Sequence, residues 1–207
     1  MPIPKLTSQD TLIVASNNMG KVREIQDLLS GFAISITSAA DHNLPEPEET
    51  GTTFAQNAHL KAQAAAQTTG LPALSDDSGL EVEALEGAPG LYSARWAGPN
   101  KNFHQAMGTI YTKLQDQDIT IESKPRANFV CALCLCWPDG QHEIFEGKVF
   151  GHLVWPARGT KGFGYDPMFV PDGYDITFGE MDPAHKHKIS HRAKAFELFV
   201  QSSFGEF

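Results

Sequence analysis

The sequence predicts an α/β fold, a mixed β-sheet flanked by helices. Three observations carry this: apolar β-rich runs alternate with helical periodicity in the first half, a hairpin pattern fills the second, and no repeat or linker divides the chain. "TLIVAS" (11–16) reads as a buried strand. "NNMG" turns the chain into "KVREIQDLLSGF", where Val22, Ile25, Leu28 and Leu29 recur at helical spacing and Gly31 stops the helix. "AISIT" (33–37) makes a second strand, followed by the acidic, proline-bearing loop "DHNLPEPEETGT" (41–52). Thr53 and Gln56 have capping-box spacing for a helix through residue 67, closed by Gly70 and Pro72. "ALS" (73–75) is expected as a third strand ending at Asp76 and Asp77, with a Ser-Gly turn before the alternating "LEVEAL". A helix is expected over 102–114, and two alternating runs flank "PDGQ" (138–141) as an antiparallel hairpin. Asp182 caps and Pro183 opens a short helix, and residues 190–204 form the last one.

The 207 residues suit one domain with room for two lobes. Residues 1–10 read as a short mobile N-terminal extension without an apolar signal core, and 11–207 as a single two-lobed domain. No run reaches the length of a membrane span, so a cytoplasmic protein is expected. The net charge of −9 argues against a nucleic-acid or anionic-membrane surface, yet leaves room for a small phosphorylated ligand held by local cations. Cys131, Cys134 and Cys136 share one strand pattern and lack a second CxxC, so they read as buried, reduced packing residues.

Several stretches carry chemistry. In "SNNMGK" a strand, a small polar loop and a helix start together favour an anion, with Lys21 adding charge and Ser16 a hydroxyl; alone, the same stretch also reads as a helix-capping turn. Asn57 and Lys61, four apart, share a helix face. Asp76 beside Asp77 places two carboxylates where each raises the other's pKa unless a cation intervenes, and Mg²⁺ binds through one or two carboxylates plus substrate phosphates. "GFGYDP" offers Phe163 for stacking on a base and Asp166 as an acceptor. His191 and Arg192 open a helix where cations oppose the dipole, which suits an acceptor-rich ligand. His185 and His187, two apart on a helix, do not share a face and are not read as metal ligands.

In order, "SNNMGKVREI", "EETGTTFAQNAHLKA", "ALSDDSGLEVEALEGAPGLYSARWAG", "GFGYDP" and "SHRAKAF" resemble the inosine triphosphate pyrophosphatase family, also called dITP/XTP pyrophosphatases, over nearly the whole chain. The resemblance implies an elongated two-lobed fold with a central cleft, a homodimer and Mg²⁺ dependence. It implies that Ser16, Asn17, Asn18, Met19, Gly20 and Lys21 hold a triphosphate, with Asn57 and Lys61 beside it. Asp77 would be general base and metal ligand, supported by Asp76 and by Glu48 or Glu49, and Ser78 would contact substrate. Phe163, Gly164, Tyr165, Asp166, Lys186, His191 and Arg192 would hold base and sugar.

The implied reaction converts ITP, dITP or XTP to the monophosphate and pyrophosphate, clearing such nucleotides before they enter DNA or RNA. Reading the 6-oxo group rejects adenine but not guanine. Burying guanine's extra 2-amino donor unpaired costs about 1–3 kcal/mol, roughly 5- to 150-fold, so discrimination against GTP is expected to be finite. Two rivals remain at this stage: a non-catalytic purine-nucleotide sensor, and a nucleotide pyrophosphatase with a different base preference.

Overall fold

The structure, a computed structural model, describes residues 3–204. Met1 and Pro2 of the expected extension, and residues 205–207 of the expected domain, lie outside the described residues. In chain order the elements are β1 (Thr11–Val14), α1 (Met19–Leu29), β2 (Ser35–Ser38), α2 (Phe54–Thr69), β3 (Ala73–Val82), α3 (Ser93–Trp96), α4 (Phe103–Gln115), β4 (Arg126–Cys136), β5 (His142–Leu153), β6 (Phe169–Pro171), α5 (Pro183–Ile189) and α6 (His191–Ser203). The strands hydrogen-bond in the order β2-β1-β3-β4-β5-β6, a mixed sheet, which is the α/β class expected. Among the described residues no helix is long and apolar enough to cross a membrane.

The chain divides into two compact units. The first is Met1–Asp77, Cys131–Gly147 and Arg192–Phe207; the second is Ser78–Val130 and Lys148–His191. In the first unit β1 pairs in parallel with β2 on one side and β3 on the other. Each parallel return needs a helical crossover of the same right hand. Crossovers that move in opposite directions across a sheet put their helices on opposite faces, so α1 and α2 pack on different sides. The core here gathers Leu12, Val14, Ile25, Leu74, Leu133 and Phe199. The second unit has its own core, with Leu80, Ile110, Phe129, Phe169 and Phe178.

The local signals hold where they are local. Thr53 accepts from the Gln56 N–H, Gly70 closes α2 in the left-handed region at φ 71°, and Asp182 caps α5 with Pro183 at its start. β4 and β5 are neighbours in the sheet joined by residues 137–141 alone, as the hairpin pattern predicts. All three cysteines are buried and free.

Two expectations change. The third strand does not stop at the aspartates; β3 runs unbroken through Asp76, Asp77, Ser78 and Gly79 to Val82. β1 pairs with β3 only at Ala73 and Leu74, so the neighbouring β4 is what carries the strand on past β1 and overrides the turn preference of the Asp-Asp-Ser-Gly run. The opening segment is anchored: Leu6 is fully buried among Leu12, Phe196 and Phe199, and its N–H donates to the Ser203 carbonyl at 2.7 Å. Leu6→Ala is therefore expected to destabilise the protein by about 2–5 kcal/mol, as for a large-to-small core change. Urea titration checks this, and an unchanged midpoint would mean that Leu6 is dispensable.

Candidate active site

The first unit places its charges by register. Val14 at the end of β1 pairs with Leu74, so Asp76 and Asp77 lie just beyond the carboxyl end of β1, where its two crossovers diverge. Such a switch point is where open α/β sheets bind ligands. The loop after β1 supplies Ser16, whose Oγ accepts from the Asn18 N–H at 3.2 Å. Asn18 caps α1, its Oδ1 accepting from the N–H groups of Gly20 (3.0 Å) and Lys21 (3.3 Å). Those two donors are thus engaged by the loop's own side chain. Asn17 and Met19 are exposed.

Successive strand residues point to opposite faces, and the two aspartates have different partners accordingly. Asp76, 1% exposed, pairs with Lys21 of α1 through Oδ1. Its Oδ2 accepts from Arg192 Nε of α6 at 3.0 Å and from the Cys131 thiol of β4 at 2.9 Å. Arg192, also 1% exposed, carries its other arm to Glu24 of α1. Burial pushes the Asp76 carboxyl upward, but Arg192 and Lys21 outweigh it and hold the group well below the usual carboxylate range. Burial and the adjacent Asp76 charge raise the Cys131 thiol, which stays a neutral donor.

Asp77 faces α2. Its Oδ1 lies 3.3 Å from Lys61 Nζ and its Oδ2 accepts from Asn57 Nδ2 at 3.2 Å. Lys61 also donates to Glu49 Oε1 at 2.6 Å, so one ammonium stands between two carboxylates. Burial raises the Asp77 carboxyl, and the nearby lysines do not fully cancel that. Burial works against the Lys61 ammonium, yet Asp77 and Glu49 prevail and raise it. A pocket in this unit is lined by Ser16, Asn17, Glu46 and Lys61, with Ala64 and Ala65 on the α2 side.

The second unit gathers a different set. Lys186 of α5 donates to Asp166 Oδ2 at 2.7 Å, and the Phe163 N–H donates to the same oxygen at 2.8 Å. The Lys186 ammonium lies 5.0 Å from the Phe163 ring centroid, within cation–π range. Gly162 is held at φ +76° against the Asp166 carboxylate, where a Cβ would collide with that carboxylate. Tyr165 is a buried support, its hydroxyl donating to the Ser93 carbonyl at 2.8 Å. His191 is buried and stacks on Phe129 with ring centroids 4.9 Å apart.

The Ham1 family model matches residues 12–202. The chain belongs to the Ham1 family. A dITP/XTP pyrophosphatase of Rhodospirillum centenum is 56% identical over 204 residues, covering 99% of this chain and 100% of the relative. One of Ruegeria pomeroyi is 55% identical, covering 95% and 96%. Among solved structures, a HAM1 protein from Coxiella burnetii aligns with TM-score 0.85 at 37% identity over 93% of this chain and 98% of that one.

In this Ham1 chain the structure groups Lys21 and Asp76 in one network, and Asn57, Lys61, Asp77 and Glu49 in another. Phe163, Asp166 and Lys186 form a third. Glu49 is the acid that meets Lys61, while Glu48 is exposed. Gly164 adopts φ +68°, Ser78 is half-buried in β3, and Lys161 is exposed. Arg192, expected with the base-binding groups, belongs to the first unit and is committed to Asp76 and Glu24; its neighbour His191 belongs to the second. Glu24 and the Cys131–Asp76 contact escaped sequence reading. Helical periodicity sets Glu24 away from Val22 and Leu29, and nothing local links Cys131 to a residue 55 positions away.

Asp76 titrates lower in the folded than in the unfolded chain, so its share of stability is fully present above about pH 4 and is lost as pH falls through the folded value. Arg192→Met strips this carboxylate and Glu24 of their shared cation. It should cost about 3–5 kcal/mol at pH 7 and move acid unfolding to higher pH. Urea titration and a pH series by circular dichroism read both effects; an unchanged acid midpoint would contradict the assignment.

Proposed function

We propose that the protein hydrolyses ITP, dITP and XTP to the monophosphate and pyrophosphate. The observation that carries this reading is Asp77: a buried carboxylate with raised basicity, held at both oxygens, near Lys61 and Lys21 at the carboxyl end of β1. The relatives named dITP/XTP pyrophosphatase, at 50–56% identity, supply the substrate class.

A raised pKa suits Asp77 to accept a proton from water. The water oxygen bonds the α-phosphorus, its proton passes to Asp77, and the bond from that phosphorus to the bridging oxygen breaks. The electron pair leaves with pyrophosphate. Lys61 and Lys21 oppose the charge that builds on the phosphates, with the hydroxyl of Ser16 and the start of α1 alongside. The donor set fits a divalent cation, because Asp77 and Glu49 already share one positive charge and phosphate oxygens supply further ligands. Asp77 and Glu49 would hold that ion, which when bound offsets charge on the leaving pyrophosphate. Mg²⁺ as the ion, the cytoplasm as the place of action and a homodimer as the working form belong to the same reading, on the strength of the resemblance.

The resemblance assigns base selection to Phe163, Asp166 and Lys186. Lys186, steadied by Asp166, presents a donor to a 6-oxo acceptor, and Phe163 offers a ring face to a purine. Adenine presents a 6-amino donor instead, which an ammonium rejects.

With Mg²⁺, ITP, dITP and XTP should be turned over far faster than ATP or GTP, giving the monophosphate and pyrophosphate on chromatography. Diphosphate plus orthophosphate, or ATP consumed as fast as ITP, would overturn the reading. Asp77→Asn should stay folded by circular dichroism and retain less than about a hundredth of the turnover, since the base is gone. A folded variant with a tenth of the parent rate would move the catalytic carboxylate elsewhere.

A further inference from the structure

We infer that Gly51 and Asn57 are positioning residues for Asp77, Gly51 acting through the Asn57 amide. The inference rests on Asp77 being the proton acceptor in the proposed reaction. Asn57 is 2% exposed, so its amide is not spread on an open surface. Its two ends have different neighbours. The Gly51 N–H donates to Oδ1 at 2.8 Å, and Nδ2 donates to Asp77 Oδ2 at 3.2 Å.

A backbone N–H requires an acceptor and a carboxylate requires a donor, so only one orientation of the amide satisfies both. Flipping it would set N–H against N–H on one side and oxygen against carboxylate on the other. Gly51 thereby selects which end of Asn57 faces Asp77. Lys61, one turn further along the same helix face, holds the other carboxylate oxygen. Both oxygens are pinned from α2, which fixes the plane of the carboxylate.

Close approach makes residue 51 a glycine. A Cβ there would lie 2.6 Å from Asn57 Oδ1 and 2.8 Å from Gln56 Cβ. Any side chain pushes the amide off Asp77. Nothing about the backbone conformation demands glycine at this position, because its φ lies outside the left-handed region. The tie also joins the loop bearing Glu49 to the start of α2, so the second acid of the site and the orientation of the first share one anchor.

The test compares the parent, Gly51→Ala, Asn57→Ala and the double variant for kcat and KM on ITP with Mg²⁺, with melting temperatures alongside. Each single change should lower kcat about tenfold or more, the scale of a lost hydrogen bond to a charged group, and leave KM within about threefold. The double variant should be no worse than the poorer single one, because both act through one contact. Losses that multiply in the double variant, or a rise in KM with kcat intact, overturn the inference.

If Gly51→Ala does not fold, Asn57→Asp decides. It is near-isosteric and keeps the acceptor for the Gly51 N–H, but it sets a second carboxylate against Asp77, so the uncharged Asn57→Ala is read beside it. A folded Asn57→Asp with parental kcat, or a loss that Asn57→Ala does not share, overturns the inference, and a kcat reduced about tenfold or more in both supports it. A parent inactive on every triphosphate would overturn the functional reading and this inference together, whereas an active parent with multiplying losses overturns this inference alone.

Discussion

Burying an ionised carboxylate costs several kcal/mol unless cations and donors replace its water, and β3 buries two in succession. Much of the first unit follows from that constraint. Lys21 comes from α1, Cys131 from β4, and Arg192 from 116 residues along the chain, all to complete one carboxylate, while Glu24 of α1 takes the other arm of Arg192. Because strand residues alternate between faces, the second carboxylate needs a separate set, and α2 provides it with Asn57 and Lys61. The opposite placement of α1 and α2, itself a consequence of right-handed crossovers around β1, makes both arrangements possible.

The two aspartates consequently differ in character. Asp76 is saturated by a guanidinium, an ammonium and a thiol, and its proton affinity is suppressed. It serves as an electrostatic anchor that positions Lys21. Asp77 has a single lysine shared with Glu49 and one amide donor, and it keeps raised basicity. In the proposed reaction, a pair that looks redundant in sequence is divided between holding Lys21 and accepting a proton. Environments that push neighbouring acids apart in pKa are the usual signature of separate roles.

What could be read from the sequence was what short-range physics dictates. The caps at Thr53 and Asp182 and the stop at Gly70 depend on residues within one turn, and they stand where the spacing puts them. The candidate site was legible as a set of residue types, but not as pairs: the structure brings Lys21 to Asp76, Lys61 to Asp77 and Lys186 to Asp166, contacts that no short-range pattern announces. The destination of Arg192 was not, because its choice between a ligand and Asp76 is made by tertiary packing. The continuity of β3 was hidden for the same reason. A Ser-Gly step after two aspartates favours a turn in isolation, and only the neighbouring β4 makes it part of a ladder. Glu24 borders the apolar stripe of α1, one turn before Leu28, and nothing in that pattern names Arg192 as its partner.

The claim on which the account rests is that water activated at Asp77 attacks the α-phosphorus. Hydrolysis of ITP in oxygen-18 water, with products separated and weighed by mass spectrometry, reads the attacked atom directly. The account predicts one labelled oxygen in the monophosphate and none in pyrophosphate. Label in pyrophosphate with unlabelled monophosphate would place the attack at the β-phosphorus and contradict it.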